Sequence, residues 1–189
     1  MRTAELPPIE GLIPHRGESL LLDCVLEHDD ESTSARVVVG TPKCLEKADG
    51  TTAPWAALEY MSQCIAVHES LLATDDGGSR IPGYLTAAVG LRLHRSRFEA
   101  GERLRVTTRR TRGRLGLGAF SHFCTIHLEC EAGEESLLAE GRLTISVPKP
   151  TQNADPVESL DPPVNRRRSQ PTRSETRNSS RGSSFLIWI

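Results

Sequence analysis

The chain has 189 residues, of which 37% are hydrophobic and 25% charged, and its net charge is −2. This length suits one domain with an extension, and the hydrophobic fraction is large enough for a core. Residues 1–148 alone carry a net charge of −5, and a mildly acidic domain gives no electrostatic footprint for nucleic acid.

The start of the chain lacks the long apolar run of a secretory signal, and no later stretch is long and apolar enough for a membrane helix. We therefore expect a cytoplasmic protein that does not bind a membrane. Residues 19–27 and 32–39 are typical of two strands around a polar turn at 29–31. The sequence thus predicts a hairpin at the start of the fold.

A long helix is predicted next. Residues 42–53 form a loop, and Pro54 fits a helix start because its missing N–H is not needed in the first turn. The helix should run to about Ala73 and end before the segment 75–78, which contains two aspartates and two glycines. Apolar residues occupy nearly every face of this helix, which indicates that other structure surrounds it.

Four further strands are predicted at 84–95, 102–112, 117–131 and 136–147, joined by short turns. Strands of this length favour an antiparallel sheet curled around the single buried helix, an α+β architecture. The regular apolar pattern ends near Pro148, so we expect a domain at 1–148. Residues 149–189 carry seven basic and four acidic side chains among many prolines and serines, which predicts a disordered tail. Binding of an anionic surface by the tail arginines is the alternative.

Glu59 stands out because it is an ionisable residue inside the otherwise apolar segment 54–67. Burying an unpaired carboxylate costs several kcal/mol, so a sequence rarely places one there without a reason. Glu59 is therefore the leading candidate for chemistry. The structural alternative is a buried ion pair with Arg16 or Arg92.

Three motifs resemble one family when taken together. The segment 13–16 (IPHR) followed by 20–23 (LLLD), the helix segment 58–63 (LEYMSQ), and the stretch 83–104 are similar to hot-dog-fold 3-hydroxyacyl-acyl carrier protein dehydratases. The helix motif most closely resembles the branch found in aryl polyene pigment gene clusters. The resemblance implies a hot-dog fold, an antiparallel sheet wrapped around one long central helix, and the dehydration of 3-hydroxyacyl thioesters.

One departure from the family pattern concerns the loop before the helix. The fatty-acid branch carries a catalytic histidine in a His-Phe-Pro element there, whereas Cys44, Leu45 and Glu46 occupy this region here. The aryl polyene branch also lacks that element. Either another residue replaces the histidine, or this subunit is not fully active.

The site residues follow from the motifs. The resemblance implies that Glu59 is catalytic, and His15 is the best candidate for a second acid or base, with a structural role in the N-terminal segment as its alternative. Gln63 lies at i+4 from Glu59 on one helix face, where it would orient the carboxylate or bind substrate, unless it is only a satisfied amide. Gly83, in the third motif, is the other substrate-binding candidate.

The remaining histidines and cysteines are predicted to be structural. His68 falls on roughly the opposite helix face from Glu59 and should be a packing or surface residue. We expect solvent-facing positions for the four strand histidines, which are His28, His94, His122 and His127. The odd number of cysteines and the lack of a close pair argue against disulfides and zinc, and Cys44, in a loop, is a weak nucleophile candidate.

The resemblance also implies partners. We expect a homodimer, or a heterodimer with a related dehydratase subunit, and a substrate carried by the phosphopantetheine arm of an acyl carrier protein or by coenzyme A. No cofactor, metal or nucleic acid is expected. Two alternative functions stay open: an acyl thioesterase on the same fold, and a non-catalytic partner of an active sister subunit.

Overall fold

The fold is seen in a computed structural model, which describes residues 6–40, 43–75, 83–111, 118–129 and 136–146. The predicted tail at 149–189 lies outside the described residues. Among the residues described, no helix is long and apolar enough to cross a membrane.

One long helix and six strands make up the described part of the domain. The helix, α1, spans Ala57–Asp75 and follows directly on a 3-10 turn at Pro54–Ala56. The strands are β1 (Cys24–His28), β2 (Ser32–Val38), β3 (Tyr84–Leu93), β4 (Arg103–Thr111), β5 (Ala119–Leu128) and β6 (Ser136–Ser146). All neighbours in the sheet are antiparallel, in the order β1-β2-β4-β5-β6-β3. The predicted α+β architecture is confirmed.

The alternation of buried and exposed residues along the strands determines which face of the sheet packs against the helix. Leu104, Val106 and Thr108 of β4 are fully buried, whereas Arg103 and Arg105, which alternate with them, are not. Because side chains alternate between the two faces of a strand, the apolar set covers one face and the charged set lies on the other. The helix packs on the apolar face, against β2, β4 and β5.

The helical segment begins where the sequence predicts, with the 3-10 turn at Pro54, and α1 continues it from Ala57 into the core. Ala56, Ala57 and Met61 are completely buried. Small residues at this end let the helix approach the sheet closely, so the first turn of α1 is held against the body of the domain.

The prediction of a strand over 19–27 is wrong in its first half. Residues Gly17–Ser19 form a 3-10 turn, and the strand begins only at Cys24. The Leu21 N–H donates to the side-chain oxygen of Gln63 at 2.9 Å, so this main chain is bound by a helix side chain and not by a neighbouring strand. The hairpin itself is confirmed, with the Asp29 side chain accepting from the N–H groups of Glu31 and Ser32 in its turn.

Candidate functional site

Glu59 and His15 meet at the start of the helix. Glu59 lies in the first turn of α1, with a side chain that is 19% exposed, and His15 has a side chain that is 12% exposed. The Nε2 atom of His15 is 3.6 Å from Oε1 of Glu59. Both residues belong to the same chain, so one subunit supplies two titratable groups to one site.

The N-terminal segment reaches the helix because apolar residues anchor it. Ile9 begins a short 3-10 turn and Ile13 follows that turn, and both are buried in the core. Arg16 then closes the segment, since its Nη1 donates to the carbonyl oxygens of Ile13 and His15, both at 2.6 Å. His15 is thus held between a buried anchor and a hydrogen-bonded arginine.

The ion pairs predicted as the alternative for Glu59 do not form. The Arg16 side chain donates to the carbonyl oxygens of Ile13 and His15, and Arg92 pairs with Glu140 at 3.1 Å. Within the described residues, the partners of the Glu59 carboxylate are therefore His15 and an amide, not a permanent cation.

That amide belongs to Gln63, one helical turn after Glu59. Its oxygen accepts from the Leu21 N–H, and its Nε2 donates to the Ser19 carbonyl oxygen at 2.9 Å and to Oε1 of Glu59 at 3.1 Å. An amide has only two N–H groups, and both are occupied. Gln63 therefore orients the carboxylate, and its binding of substrate stays a prediction.

These contacts leave two groups available at the helix start. Oε2 of Glu59 has no hydrogen-bond partner in the described part of the chain, because both observed contacts go to Oε1. Pro54 has no N–H, whereas the N–H of Trp55 is present and also lacks a partner among the described residues. The sequence analysis missed Trp55, although the exposed N–H groups of a helix start are a known signal for anion and oxyanion binding.

Cys44 lies in the loop that the resemblance assigns to the missing histidine. Its N–H donates to the Glu18 carbonyl oxygen at 3.0 Å. Partial burial raises the pKa of the Cys44 thiol above its ordinary value, and the negative charge of Glu59 raises this pKa further. The thiol is thus kept protonated near the carboxylate, which argues against a nucleophilic role.

Gly83, which precedes β3, is buried beside the core strand β6. A Cβ added to it would lie 2.6 Å from Cγ2 of Ile145, so close packing accounts for a glycine here. No contact in the described residues joins Gly83 to Glu59 or His15. Its assignment to substrate binding stays a prediction.

A second polar cluster lies between the sheet and the second half of α1, and we call it the histidine cluster. Oγ1 of Thr33 is 2.7 Å from Nδ1 of His28 and 2.8 Å from Nδ1 of His68. The His68 ring packs edge-on against the His122 ring at 5.8 Å. The members of the cluster are His28, Thr33, His68, Glu69, Thr108, Arg110 and His122.

The prediction that His122 faces solvent is wrong, because His122 is completely buried. It alternates with Cys124 and Ile126 on the inward face of β5, and this period of two was the signal that should have placed it inside. Its Nδ1 lies 3.2 Å from Oγ1 of Thr108, and its Nε2 lies 3.2 Å from Oε1 of Glu69. His28 is only half-buried.

Burial sets the protonation state of this cluster. It lowers the pKa of His68 to about 4, so the buried ring is neutral at neutral pH. Burial also acts to raise the pKa of Glu69, but His122 and Arg110 outweigh it and the pKa is lowered. The cluster therefore holds a charged carboxylate beside the neutral ring of His68. Among the described residues, no group of His, Cys, Asp or Glu side chains is arranged to hold a metal ion.

Comparisons with known proteins agree with this fold. A family model described as ApeP-like, ApeP dehydratase, matches residues 7–156. No curated relative matches the chain. The dehydratase heterocomplex ApeI:P from Xenorhabdus doucetiae is similar at a TM-score of 0.68 and 22% identity, covering 77% of this chain and 94% of that chain. PaaI from the phenylacetic acid degradation operon of E. coli gives a TM-score of 0.47 and 11% identity over 65% of this chain and 80% of that chain.

The similarity to the Xenorhabdus complex confirms the predicted hot-dog fold. The family model covers nearly the whole predicted domain, including the segments that carry His15, Glu59 and Gln63. This chain therefore belongs to the ApeP-like dehydratase family, the aryl polyene branch of the hot-dog dehydratases.

Proposed function

We propose that this dehydratase removes water from 3-hydroxyacyl thioesters carried by an acyl carrier protein, and that Glu59 and His15 perform the proton transfers. The observation that carries the proposal is the 3.6 Å approach of His15 Nε2 to Glu59 Oε1 at the start of a buried helix. Two titratable groups of different chemistry at one place are what an acid–base elimination needs.

In the reaction the C2–H and C3–O bonds break, and the C2=C3 double bond and an O–H bond of the released water form. A base takes the proton from C2, the C2–H electron pair becomes the C2=C3 double bond, and the C3–O bond breaks as the hydroxyl leaves with a proton from an acid. Glu59 and His15 each perform one of these two proton transfers. Because Oε1 of Glu59 already accepts from Gln63, Oε2 is the atom that faces the substrate. The elimination involves no net oxidation or reduction, so the two proton transfers by these residues complete it.

A donor to the thioester carbonyl completes the chemistry, because negative charge develops on that oxygen as the C2 proton leaves. The free N–H of Trp55 lies at the positive end of the α1 dipole, in the turn before Glu59. We assign this N–H the role of polarising the thioester. Gly83 and Gln63 would then shape and position the site around it.

We also propose that the chain works as a dimer, either with itself or with a related dehydratase subunit. β3 is an edge strand ten residues long, and it pairs only with β6 among the described strands. Val89 on this strand is 63% exposed and Leu93 is 38% exposed. Long, apolar edges are normally paired or covered. The similar Xenorhabdus protein is a heterocomplex, which supports a related subunit as the partner.

The decisive experiment follows a 3-hydroxyacyl group on an acyl carrier protein by mass spectrometry, with this protein alone and with its related subunit added. We expect loss of 18 Da from the carrier-bound group. Release of free acid would establish the thioesterase instead. An unchanged substrate with both preparations, under conditions where a known dehydratase converts it, would overturn the proposal.

Association is tested on the edge strand. Val89→Lys should shift the dimer to monomer in light scattering, because it adds a charge to the apolar edge strand that we propose to be covered. Phe123→Lys is the matched control, since Phe123 is a 39% exposed apolar residue on the central strand β5. Equal dissociation by both variants would exclude β3 as the interface.

A further inference from the structure

Lys43 is a largely buried lysine in the loop before the helix. Its side chain is only 9% exposed, and lysines are seldom buried this far unless they are paired. The Nζ atom donates to the Leu21 carbonyl oxygen at 2.6 Å and to Oδ1 of Asp23 at 2.9 Å. Lys43 directly precedes Cys44. The loop that lacks the histidine of the fatty-acid branch therefore carries a paired cation.

The oxygen that Lys43 binds belongs to Leu21, which is also a partner of Gln63. The Leu21 N–H donates to the side-chain oxygen of Gln63 at 2.9 Å, and Nε2 of Gln63 donates to Oε1 of Glu59 at 3.1 Å. The backbone of Leu21 is thus bound by the loop through its carbonyl oxygen and by the helix through its N–H. A series of hydrogen bonds, passing through Leu21 and Gln63, joins the ammonium group to the carboxylate.

The loop holds the N-terminal segment at a second point. The Cys44 N–H donates to the Glu18 carbonyl oxygen at 3.0 Å. Glu18 lies three residues after His15, and Arg16 between them donates to the His15 carbonyl oxygen. Two successive loop residues therefore fix the chain that follows His15, Lys43 through its side chain and Cys44 through its backbone.

We propose that Lys43 is a positioning residue for the dehydration and acts on the Glu59 carboxylate through these hydrogen bonds. This inference rests on the proposed function. A hydrogen bond from a charged donor is roughly twice as strong as one between neutral groups, so the ammonium holds Leu21 more firmly than a neutral side chain would. Gln63 then meets a fixed N–H and keeps Glu59 in one orientation. The loop contributes to the reaction by holding the site, and not by transferring a proton.

The test compares kcat and KM of Lys43→Met and wild type on a 3-hydroxyacyl carrier protein. Lys43→Met removes the charge but keeps a side chain of similar length. We expect kcat to fall about tenfold to a hundredfold, because a displacement of about 1 Å at a catalytic group can cost a hundredfold in rate. KM should change little, since Lys43 orients Glu59 and does not bind the substrate.

Two further variants control this measurement. Lys43→Arg keeps the charge and the N–H donors and should restore most of kcat. Lys47→Met is the matched control, because Lys47 is an exposed lysine of the same loop, and it should leave both constants unchanged. An equal loss of kcat in Lys47→Met would overturn the role of Lys43.

A double-mutant cycle shows whether Lys43 acts through Gln63. Gln63→Glu keeps an acceptor for the Leu21 N–H, but its carboxylate has no N–H to donate to Glu59. In this background Lys43→Met should lower kcat much less than it does in the wild type, because the connection is already broken. Equal losses in both backgrounds would show that Lys43 does not act through Gln63.

Amide hydrogen exchange gives a readout that does not depend on turnover. In NMR spectra the Leu21 N–H should exchange faster in Lys43→Met than in the wild type, whereas the amides of β4 and β5 should keep their rates. If Lys43→Met does not fold, Lys43→Gln is measured in its place, since its neutral side chain is shorter and keeps N–H donors.

The outcomes separate the role of Lys43 from the proposed function. If wild-type protein converts no substrate but Leu21 exchanges faster in Lys43→Met, the dehydration proposal fails and the positioning of Gln63 by Lys43 stands. If wild-type protein removes water and Lys43→Met keeps both the kcat and the Leu21 exchange rate of the wild type, the role of Lys43 is overturned and the dehydration proposal stands. A change in KM alone would likewise overturn the role of Lys43.

Discussion

His15 Nε2 lies 3.6 Å from Glu59 Oε1, although one residue comes from the N-terminal segment and the other from the long helix. The pair forms within a single subunit. It occupies the place where the resemblance predicts an acid–base site, and it does so without the loop histidine of the fatty-acid branch.

Removing either member of this pair should abolish most of the dehydration. We expect Glu59→Gln and His15→Ala each to lower kcat by about a hundredfold to ten-thousandfold, the usual contribution of a general acid or base. Turnover of a 3-hydroxyacyl carrier by the assembled protein is the measurement. His94→Ala is the control, since the His94 side chain is 41% exposed and borders Glu140, not Glu59. Full activity in both site variants would instead establish a non-catalytic subunit.

Gln63 should affect the stability of the protein and its turnover through different hydrogen bonds. Gln63→Leu leaves the Leu21 N–H and the Ser19 carbonyl oxygen without partners and should cost about 2–4 kcal/mol in urea unfolding. Gln63→Glu keeps an acceptor for Leu21 but places a second carboxylate beside Glu59. It should lose less stability than Gln63→Leu and still lose turnover. Normal kcat in Gln63→Glu would show that the bond to Glu59 does not position it.

Gly83 should be intolerant of even one added methyl group. In Gly83→Ala the new Cβ meets Ile145 Cγ2 at 2.6 Å, and overpacking of this kind typically costs about 1–3 kcal/mol. Gly11→Ala is the control, because a Cβ there meets nothing within 4 Å. A double-mutant cycle with Ile145→Ala should show favourable coupling in urea unfolding. Additive effects would mean that the two residues do not compete for the same space.

The histidine cluster predicts loss of stability in mild acid. Burial lowers the pKa of His68 to about 4, below its ordinary value of 6.5. Between these values the unfolded chain binds a proton that the folded protein excludes, so the free energy of unfolding should fall as the pH drops from about 6.5 to 4. Four groups face the ring and modify its pKa: the charge of Glu69 raises the pKa of His68, and His122, His28 and Arg110 lower it further.

Urea unfolding at a series of pH values checks this expectation. His68→Phe keeps a planar ring of similar size, and Thr33 retains His28 as its partner, so this variant should show a shallower decline. His94→Gln should leave the decline unchanged. Parallel curves for wild type and His68→Phe would assign the acid sensitivity to other groups.

The thiol of Cys44 should report the charge of Glu59. Partial burial and the Glu59 carboxylate both raise the pKa of Cys44, so alkylation by iodoacetamide at pH 8 should be slower than for a free cysteine. Glu59→Gln removes the charge and should speed this alkylation, measured on the Cys44 peptide by mass spectrometry. An identical rate in both proteins would mean that the carboxylate does not influence the thiol.

The spacing of apolar residues and the positions of proline in the sequence were sufficient to predict most of the fold. Pro54 gave the start of the helix, and the alternation of Leu104, Val106 and Thr108 gave β4 and its buried face. The strand over 19–27 was half wrong, because an apolar run such as 20–22 suits any extended chain that packs on a core. The residue types of this run do not show that the side-chain oxygen of Gln63, and not a neighbouring strand, accepts the hydrogen bond from the Leu21 N–H.

The sequence points to the members of the candidate site but not to the contacts that join them. Glu59 stands out as a carboxylate in an apolar helix, and the motif around His15 points to it. The contacts of Gln63 with Ser19 and Leu21 depend on how a distant segment docks, which no local pattern encodes. His122 was predictable after all, since its register with Cys124 and Ile126 places it inside.

The hydrogen bonds of the Gln63 amide have a consequence for the order in which parts of the protein fold. It joins the main chain at 19–21 to the carboxylate of Glu59, and the segment just before those residues also carries His15. A chain in which the helix and sheet have formed, but the N-terminal segment has not yet docked, would hold Glu59 without either of its partners. Catalytic competence would then appear as the last event of folding, and an unfinished subunit would bind no substrate productively.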